Sequence, residues 1–325
     1  MKTEVIRLHF TSGLHIGRGA DDLDKTATTY GSDALKSALY AIGLSYYPEW
    51  RNEKIFFEGF RISSAFPFCD KDYFLPKPGG MNFQFEKGND LTEAKMAKKI
   101  VYVSHSLLAQ WAKKPDYKII VSGRQVGDNA FLFQSNDARK FLHTSIQQRV
   151  SVGVEDVETR PYYFERLFFE EGSGLYFLMQ FTNEELRLQV LHALRILGDA
   201  GIGTDRTVGN GQFKADEPSA FNLPVGNSKG RQMALGLYLP TKEELAATEM
   251  NESNWTLIRR GGYMAASDND SYRSLRKNSI YFFGEGSAFK VRQPLKGRYI
   301  DLQPKWNDPG MHPVWRCGMP LFIDL

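Results

Sequence analysis

The sequence predicts an α+β protein. Three observations support this class: strand-like runs that alternate or are rich in aromatic residues, two helical stripes of apolar residues spaced three and four apart, and a glycine-rich loop directly after the second helix. The chain has 325 residues. A length prior of about 150 residues per domain favours two domains. The hydrophobic fraction of 42% and charged fraction of 24% are ordinary for a globular protein.

The N-terminal part supplies a strand, a helix and further strands. "TEVIRLHF" (3–10) alternates with period two, as a half-buried strand does. Ser32 is expected to cap the first helix. The apolar stripe of that helix is Leu35, Ala38, Leu39 and Ile42. "EKIFFEGFRISSAFPFCD" (53–70) and "YFLPKP" (73–78) are predicted as strands, the second ended by its prolines.

A second strand and helix follow in the same domain. "PYYFERLFFEEGSGLYFLMQF" (161–181) predicts a β-hairpin of two aromatic-rich strands. Thr182 and Glu185 are expected to form the capping box of the next helix. The buried stripe of that helix is Leu186, Val190, Ala193, Leu194 and Leu197. A last strand is predicted from about Gln212, after the glycine-rich loop. The series is close to the split β-α-β order of a ferredoxin-like domain.

The chain is expected to divide near residue 220, where a linker contains proline and glycine. Residues 1–220 would form the first ferredoxin-like domain, with an insertion near 80–155 and the glycine-rich loop at 201–213. Residues 221–325 would form a second, degenerate and strand-rich ferredoxin-like (RRM-like) domain.

Basic residues are concentrated in two regions. Between Glu93 and Val150 there are ten lysines or arginines against four acidic residues. A second basic series runs from Arg259 to Arg298, although the net charge of the chain is only +3. Segregated positive charge favours a polyanionic partner, and a solvated surface is the alternative explanation for either region.

Several classes of protein are disfavoured by the sequence. No segment approaches eighteen uninterrupted apolar residues, so we expect a soluble, cytoplasmic protein without a membrane partner. Cys69, Cys317 and the six scattered histidines have no metal-ligand spacing, so neither a metal nor a cofactor is expected. A dinucleotide fingerprint needs a third glycine where this chain has Arg206, and it needs a strand before the loop and a helix after it. Here a helix precedes the loop, so dinucleotide binding is excluded.

The candidate binding residues lie in two glycine-containing loops, "LHIGRG" (14–19) and "GIGTDRTVGNGQF" (201–213). Glycines can adopt positive φ and allow backbone amides to face phosphates, and Arg206 adds a permanent charge with bidentate geometry. A tight turn that only caps the helix is the alternative. The predicted RNA-binding residues are His15, Gly17, Arg18, Arg160, Gly201, Gly203, Thr204, Arg206, Thr207, Gly209 and Gly211.

His15 leaves two functions open. An imidazole titrates near neutrality, so His15 could act as a general acid or base in RNA cleavage. A lone loop histidine more often forms a hydrogen bond or stacks on a ring. The first function describes a ribonuclease and the second an RNA-binding protein without catalytic residues. A protein-only interaction module is a third alternative.

Six segments, taken in order, resemble the RAMP superfamily of CRISPR proteins and, within it, the fourth-subunit family of the type III-A Csm complex. They are "LHIGRG" (14–19), "YGSDALKSAL" (30–39), "FLPKP" (74–78), "GIGTDRTVGNGQF" (201–213), "EGSAF" (285–289) and "VWRCGMPLFI" (314–323). The hallmark of the superfamily is a glycine-rich loop before the last strand of a ferredoxin-like domain. The resemblance spans the chain.

This resemblance implies a non-catalytic subunit in antiviral defence. Such a subunit binds the 5′ handle of CRISPR RNA (crRNA), lies near target RNA at the 3′ end of the protospacer, and contacts the large polymerase-type subunit and the backbone RAMP subunit. The insertion at 93–150 would supply a thumb-like hairpin for the guide–target duplex. "VEDVETR" (154–160) is a loose equivalent of the family's Asp-Arg pair, at Asp156 and Arg160. The alternative within the superfamily is an endoribonuclease that processes precursor crRNA with His15 as general acid or base.

Overall fold

The structure is a computed structural model of the whole chain. The residues it describes are 2–17, 23–86, 91–114, 118–128, 130–151, 160–226, 230–264, 269–304 and 311–325. Within them the protein is α+β, as predicted, with one ten-stranded sheet, one three-stranded sheet and four two-stranded sheets.

The elements have the following bounds. The strands are β1 (Glu4–Phe10), β2 (Phe60–Ile62), β3 (Phe66–Cys69), β4 (Asp72–Pro76), β5 (Phe83–Phe85), β6 (Tyr102–Ser104), β7 (Ile119–Val121), β8 (Val126–Gly127), β9 (Phe131–Leu132), β10 (Leu142–Ser151), β11 (Arg160–Phe169), β12 (Ser173–Phe181), β13 (Phe213–Ala215), β14 (Ser219–Ala220), β15 (Arg231–Ala234), β16 (Leu257–Arg260), β17 (Ile280–Phe283), β18 (Ala288–Lys290), β19 (Arg298–Asp301), β20 (Trp315–Gly318) and β21 (Phe322–Asp324). The α-helices are α1 (Ser32–Gly43), α2 (Glu53–Gly59), α3 (Leu91–Lys99), α4 (His105–Lys113), α5 (Glu184–Ala200), α6 (Lys242–Ala247) and α7 (Asp270–Arg273).

The large sheet is built around β1 and β12. β1 lies between β12 and β13 and is antiparallel to both, and β12 pairs on its other side with β2 and β3. Helix α1 follows β1, helix α5 follows β12, and the two helices pack together. The chain therefore runs β1, α1, β2 and β3, β12, α5, β13, which is a β-α-β-β-α-β order.

Helix α5 buries its whole predicted stripe, and α1 buries Leu35 and Leu39 of its stripe and half-buries Ala38 and Ile42. The first residues of both helices differ from the prediction. Ser32 does not cap α1: Gly31 is the N-cap, and the Ser32 hydroxyl accepts a hydrogen bond from the Leu237 amide at 2.9 Å. Asn183, not Thr182, caps α5, because its side chain accepts from the Leu186 amide at 3.0 Å. The periodicity locates a helix well, whereas neighbouring polar residues compete for its cap.

Two strand predictions were wrong. Residues 53–59 form α2, because a short aromatic run fits a buried helix as well as a strand. The hairpin predicted over 161–181 does not form. β11 pairs with β10 through ten residue pairs from Leu142–Phe169 to Ser151–Arg160, and β12 enters the large sheet instead. β12 is buried along its first seven residues, which suits a strand inside a sheet.

The C-terminal part contributes β15 between β18 and β21, and the two-stranded pairs β16–β17 and β19–β20. Its apolar side chains share one hydrophobic core with the large sheet; the shared core includes Val5, Phe66, Leu178, Met233, Leu235, Ala288, Leu321 and Ile323. The boundary near residue 220 and a ferredoxin-like order in the second domain remain predictions. Among the described residues, no helix has the length and apolarity required to cross a membrane.

Candidate nucleic-acid interface

Three segments meet beside the large sheet: the glycine-rich loop (201–213), the loop after β1, and the two-stranded pair β10–β11, here called the ribbon. The Thr204 amide donates to the His15 carbonyl at 3.0 Å, and the Gly211 amide donates to the Gly13 carbonyl at 2.9 Å. Leu14 and Leu167 exchange backbone hydrogen bonds of 2.9 and 2.7 Å, which join the same loop to the ribbon. The two loops predicted to contribute to RNA binding are thus in direct contact.

Close backbone packing explains two of the glycines. Gly203 and Gly211 have φ of 86° and 73°. A Cβ at Gly211 would lie 1.9 Å from the Ile202 carbonyl oxygen, and a Cβ at Gly203 would lie 2.3 Å from the His15 carbonyl oxygen. Gly209 has a similar φ of 84°, yet nothing lies within 4 Å of the Cβ position. The loop therefore requires Gly203 and Gly211 for contact with its own chain.

The expected use of glycine amides for phosphate contacts is wrong for Gly201 and Gly211, because both amides have acceptors within the protein. The Gly201 amide donates to the Leu197 carbonyl at 2.8 Å, and the Gly211 amide donates to Gly13. These N–H groups lie where water is largely excluded, so they must bond within the protein. They shape the loop and leave ligand contacts to other groups.

The outer turn of the loop, residues 204–208, faces solvent. Thr204, Arg206 and Thr207 are exposed, and Asp205 stands in the left-handed region with φ of 57° ahead of the short 3-10 turn Arg206–Val208. Within the part of the chain that the structure describes, the amides of residues 205–207 have no hydrogen-bond acceptor. An arginine, two hydroxyls and three free amides are therefore available to an anionic strand.

His15 is fully buried, which corrects the expectation that it contacts RNA. Its Nδ1 lies 2.6 Å from the Glu165 carbonyl oxygen, which can only accept, so Nδ1 carries the proton. Its ring stacks on Phe164 with 4.5 Å between centroids. Nε2 is buried and has no partner among the described residues. A side chain that no substrate can reach neither stacks on a base nor transfers a proton to one.

The ribbon contacts the outer turn through a residue that the sequence did not single out. Arg149 forms an ion pair with Asp205, and its guanidinium carbon lies 4.4 Å from the centroid of the Phe164 ring. In the sequence Arg149 is one of ten basic residues in a long run. Only the pairing of β10 with β11, which depends on tertiary structure, brings it to the loop.

The remaining predicted residues are less informative. Gly17 forms an isolated bridge with Thr26. Arg160 pairs with Ser151 at the far end of the ribbon. Arg18 and Asp156 lie outside the described residues. A metal is not indicated: no group of three or more His, Cys, Asp or Glu side chains with ligand geometry occurs in the described ranges.

Known proteins resemble both the C-terminal part and the whole chain. Residues 227–325 match the family described as the CRISPR Csm4 C-terminal domain. A Csm4 protein of Thermococcus onnurineus (strain NA1) is 28% identical over 285 residues, which cover 83% of this chain and 82% of that protein.

Two solved structures share the fold. In the Csm3–Csm4 subcomplex of the type III-A CRISPR-Cas interference complex, the matched chain is 20% identical with a TM-score of 0.64, over 100% of this chain and 99% of that chain. In the Csm1–Csm4 cassette in complex with cA4, identity is 20% and the TM-score is 0.63, over 100% of this chain and 98% of that chain. Residues 227–325 therefore match the Csm4 C-terminal domain family, and the chain as a whole is similar in sequence to a Csm4 protein and in fold to solved Csm4 chains.

Proposed function

We propose that this chain is a non-catalytic, RNA-binding subunit of a type III-A Csm effector complex. It binds the 5′ handle of crRNA and bridges the large polymerase-type subunit to the backbone RAMP subunit in antiviral defence. The similar solved structures support the two protein partners, because one contains Csm4 with Csm3 and the other contains Csm4 with Csm1. The observation that carries the RNA role is the exposed outer turn with Arg206 and three free amides.

The chemistry of the outer turn suits a phosphate backbone. Arg206 can bond two phosphate oxygens at once, and the threonine hydroxyls and the amides of residues 205–207 can donate to neighbouring oxygens. Each charge-assisted hydrogen bond contributes about 1.5–3 kcal/mol. Two or three such bonds give only weak binding, so the isolated chain should bind the handle weakly. Partner subunits should increase RNA retention greatly.

The ribbon is proposed as the thumb-like element beside target RNA at the 3′ end of the protospacer. Directly opposed residues share a face, and one face carries Ile146, Val150 and Tyr163, which are 58%, 50% and 57% exposed. Exposed apolar side chains on a long two-stranded element suit contact with base faces. Only β10 comes from the predicted insertion, since β11 follows it in sequence.

Burial of His15 supports the non-catalytic assignment over an endoribonuclease. The test is a metal-free cleavage assay with repeat RNA. We expect no specific cleavage by the chain or by its complex. Specific cuts that disappear in His15→Ala, with the fold intact, would favour the endoribonuclease.

The RNA role is tested by co-expression with Csm1-type and Csm3-type partners and a CRISPR array, followed by sequencing of the bound RNA. Arg206→Gln should weaken retention of guide RNA and lower the slope of log affinity against log salt by about 0.7. The matched control is Arg195→Gln, because Arg195 is also exposed, with 66% of its side chain accessible. Wild-type retention in Arg206→Gln, or absence of crRNA from the complex, would contradict the proposal.

A further inference from the structure

A cluster of cationic side chains surrounds one buried carboxylate next to the glycine-rich loop. Asp33, in the first turn of α1, is 2% exposed. Arg260 Nη2 lies 3.3 Å from its Oδ1, and Arg316 Nε lies 3.9 Å from its Oδ2. Lys277 is 9% exposed. These four residues, called the Asp33 cluster, come from α1, β16, the segment before β17, and β20.

The Asp33 cluster has more positive charge than its single carboxylate can balance. Both arginines share the single carboxylate of Asp33, so among the described residues three cations face one anion and two positive charges are in excess. The ammonium of Lys277 has one long hydrogen bond, 3.5 Å to the Tyr263 carbonyl. Arg260 Nε is buried and has no hydrogen-bond partner in the described chain. Buried cations are costly unless an anion pairs with them.

The pKa of Lys277 agrees with this charge excess. Burial, with smaller contributions from Arg316 and Arg260, lowers the pKa of its ammonium to about 8, and Asp33 opposes this effect. The lysine therefore remains largely protonated at neutral pH, where it adds to the positive potential of the cluster.

Tyr30 connects the Asp33 cluster to the glycine-rich loop. Burial raises the pKa of the Tyr30 hydroxyl, and the charges of Arg316 and Arg206 oppose that effect. Arg316 of the cluster and Arg206 of the outer turn thus both act on the same hydroxyl.

We infer that the Asp33 cluster is a phosphate-binding pocket, which receives a phosphate group of the RNA strand that lies along the glycine-rich loop. The side chains of Arg260 and Arg316 are 29% and 19% exposed, so a ligand reaches them more easily than the more deeply buried lysine. Two arginines supply bidentate donors and Lys277 supplies a point charge. The assignment of this phosphate to an RNA strand rests on the proposed function, whereas the binding of phosphate itself does not.

Inorganic phosphate is the first probe, added to the purified full chain during thermal unfolding. Phosphate should raise the Tm, because a ligand that binds only the folded state stabilises it. Lys277→Met should abolish this rise and, without phosphate, should raise the Tm by removing a buried cation. Lys277→Arg should keep the rise. Lys296→Met is the control, because Lys296 is an exposed lysine of the same region. A Lys277→Met protein that retains the full shift, or a Lys296→Met protein that loses it equally, would overturn the pocket.

The second probe is guide RNA in the assembled complex. Lys277→Met should lower the salt slope of RNA affinity by about 0.7. Loss of the phosphate shift with an unchanged salt slope would mean that the pocket binds free phosphate, which overturns the RNA assignment. If Arg206→Gln weakens guide RNA binding and lowers its salt slope but Lys277→Met does not, this inference is rejected and the proposed function stays intact. If neither variant changes guide RNA binding, both the phosphate pocket for RNA and the proposed RNA-binding function are rejected.

Discussion

Arg149 on the ribbon is ion-paired with Asp205 at the start of the outer turn of the glycine-rich loop. Asp205 has φ of 57°, a left-handed conformation that aspartate tolerates better than most residues. Arg149 also lies over the ring of Phe164, which stacks on His15. The pair therefore joins the ribbon, the outer turn and the loop after β1. Because two of these segments are proposed RNA contacts, the pair fixes their relative positions.

A double-mutant cycle tests this connection. Arg149→Gln and Asp205→Asn should show a coupling free energy of about 0.5–1 kcal/mol in urea unfolding, as expected for a partly exposed ion pair. The control cycle is Arg195→Gln with Glu217→Gln, whose side chains are 66% and 79% exposed. That cycle should give coupling near zero. Equal coupling in the two cycles would show that the Arg149–Asp205 pair has no special structural role.

Two alanine substitutions separate backbone strain from steric contact in the glycine-rich loop. Gly209→Ala should lower the free energy of unfolding by about 1–2 kcal/mol, the strain of an alanine in the left-handed conformation. No steric cost is added, because nothing lies within 4 Å of the new Cβ. Gly211→Ala should cost clearly more in urea unfolding, because its Cβ would lie 1.9 Å from the Ile202 carbonyl oxygen. Similar decreases in the free energy of unfolding for the two variants would contradict the close packing of this loop.

The same packing predicts a functional loss. Replacing Gly203 and Gly211 together with valine should displace the outer turn and reduce protection of guide RNA from nuclease in the assembled complex. Circular dichroism and co-purification of partner subunits report whether the rest of the protein remains folded. If the fold survives and guide RNA stays protected and assembled, the glycine-rich loop does not bind RNA.

Local patterns predicted much of the structure of residues 1–220. The alternation in β1, the apolar stripes of α1 and α5, and the position of the glycine-rich loop before β13 all depend on residues close in sequence. Pairing partners were harder, because β11 has the composition of a hairpin partner for β12 but pairs with β10. Strand pairing depends on what covers each face, and a single sequence does not specify that.

The candidate site was predicted in position but not in chemistry. Glycines at 201–211 located the loop, yet periodicity cannot reveal that Gly211 contacts Ile202 or that His15 lies under Phe164. The Asp33 cluster could not be predicted from the sequence, because Asp33 and Arg316 are 283 positions apart and no local pattern relates them. Charge excess in a buried cluster is visible only in three dimensions.

His15 is expected to have a structural role. His15→Ala should lower the free energy of unfolding by about 2–4 kcal/mol, because it leaves a cavity beside Phe164 and removes the hydrogen bond to Glu165. His15→Phe should cost less, since it keeps a stacked ring and removes the buried, unpartnered Nε2. Guide RNA retention should match wild type in His15→Phe. A loss of retention with unchanged stability would indicate that the imidazole contacts RNA.

The pH dependence of stability should report a second buried lysine. Lys36 is 0% exposed, and its Nζ donates to the carbonyls of Phe57 and Phe60 at 2.9 and 2.6 Å. Burial lowers the pKa of its ammonium to about 8, with Cys317 opposing this effect and Arg61 adding to it. Below that pH the folded protein carries a buried charge.

Stability should therefore rise with pH above about 8. Between about pH 8 and about pH 10 the unfolded lysine stays protonated while the folded one loses its proton, so the unfolded state binds more protons. The contribution of Lys36 should increase by up to about 2–3 kcal/mol over this window. Lys277 acts in the same direction, because burial also lowers its pKa to about 8. Urea unfolding across the window should show a shallower rise in Lys36→Met, and a wild-type rise in the exposed control Lys54→Met. A flat wild-type profile, or an unchanged slope in Lys36→Met, would mean that the Lys36 ammonium stays protonated in the folded core.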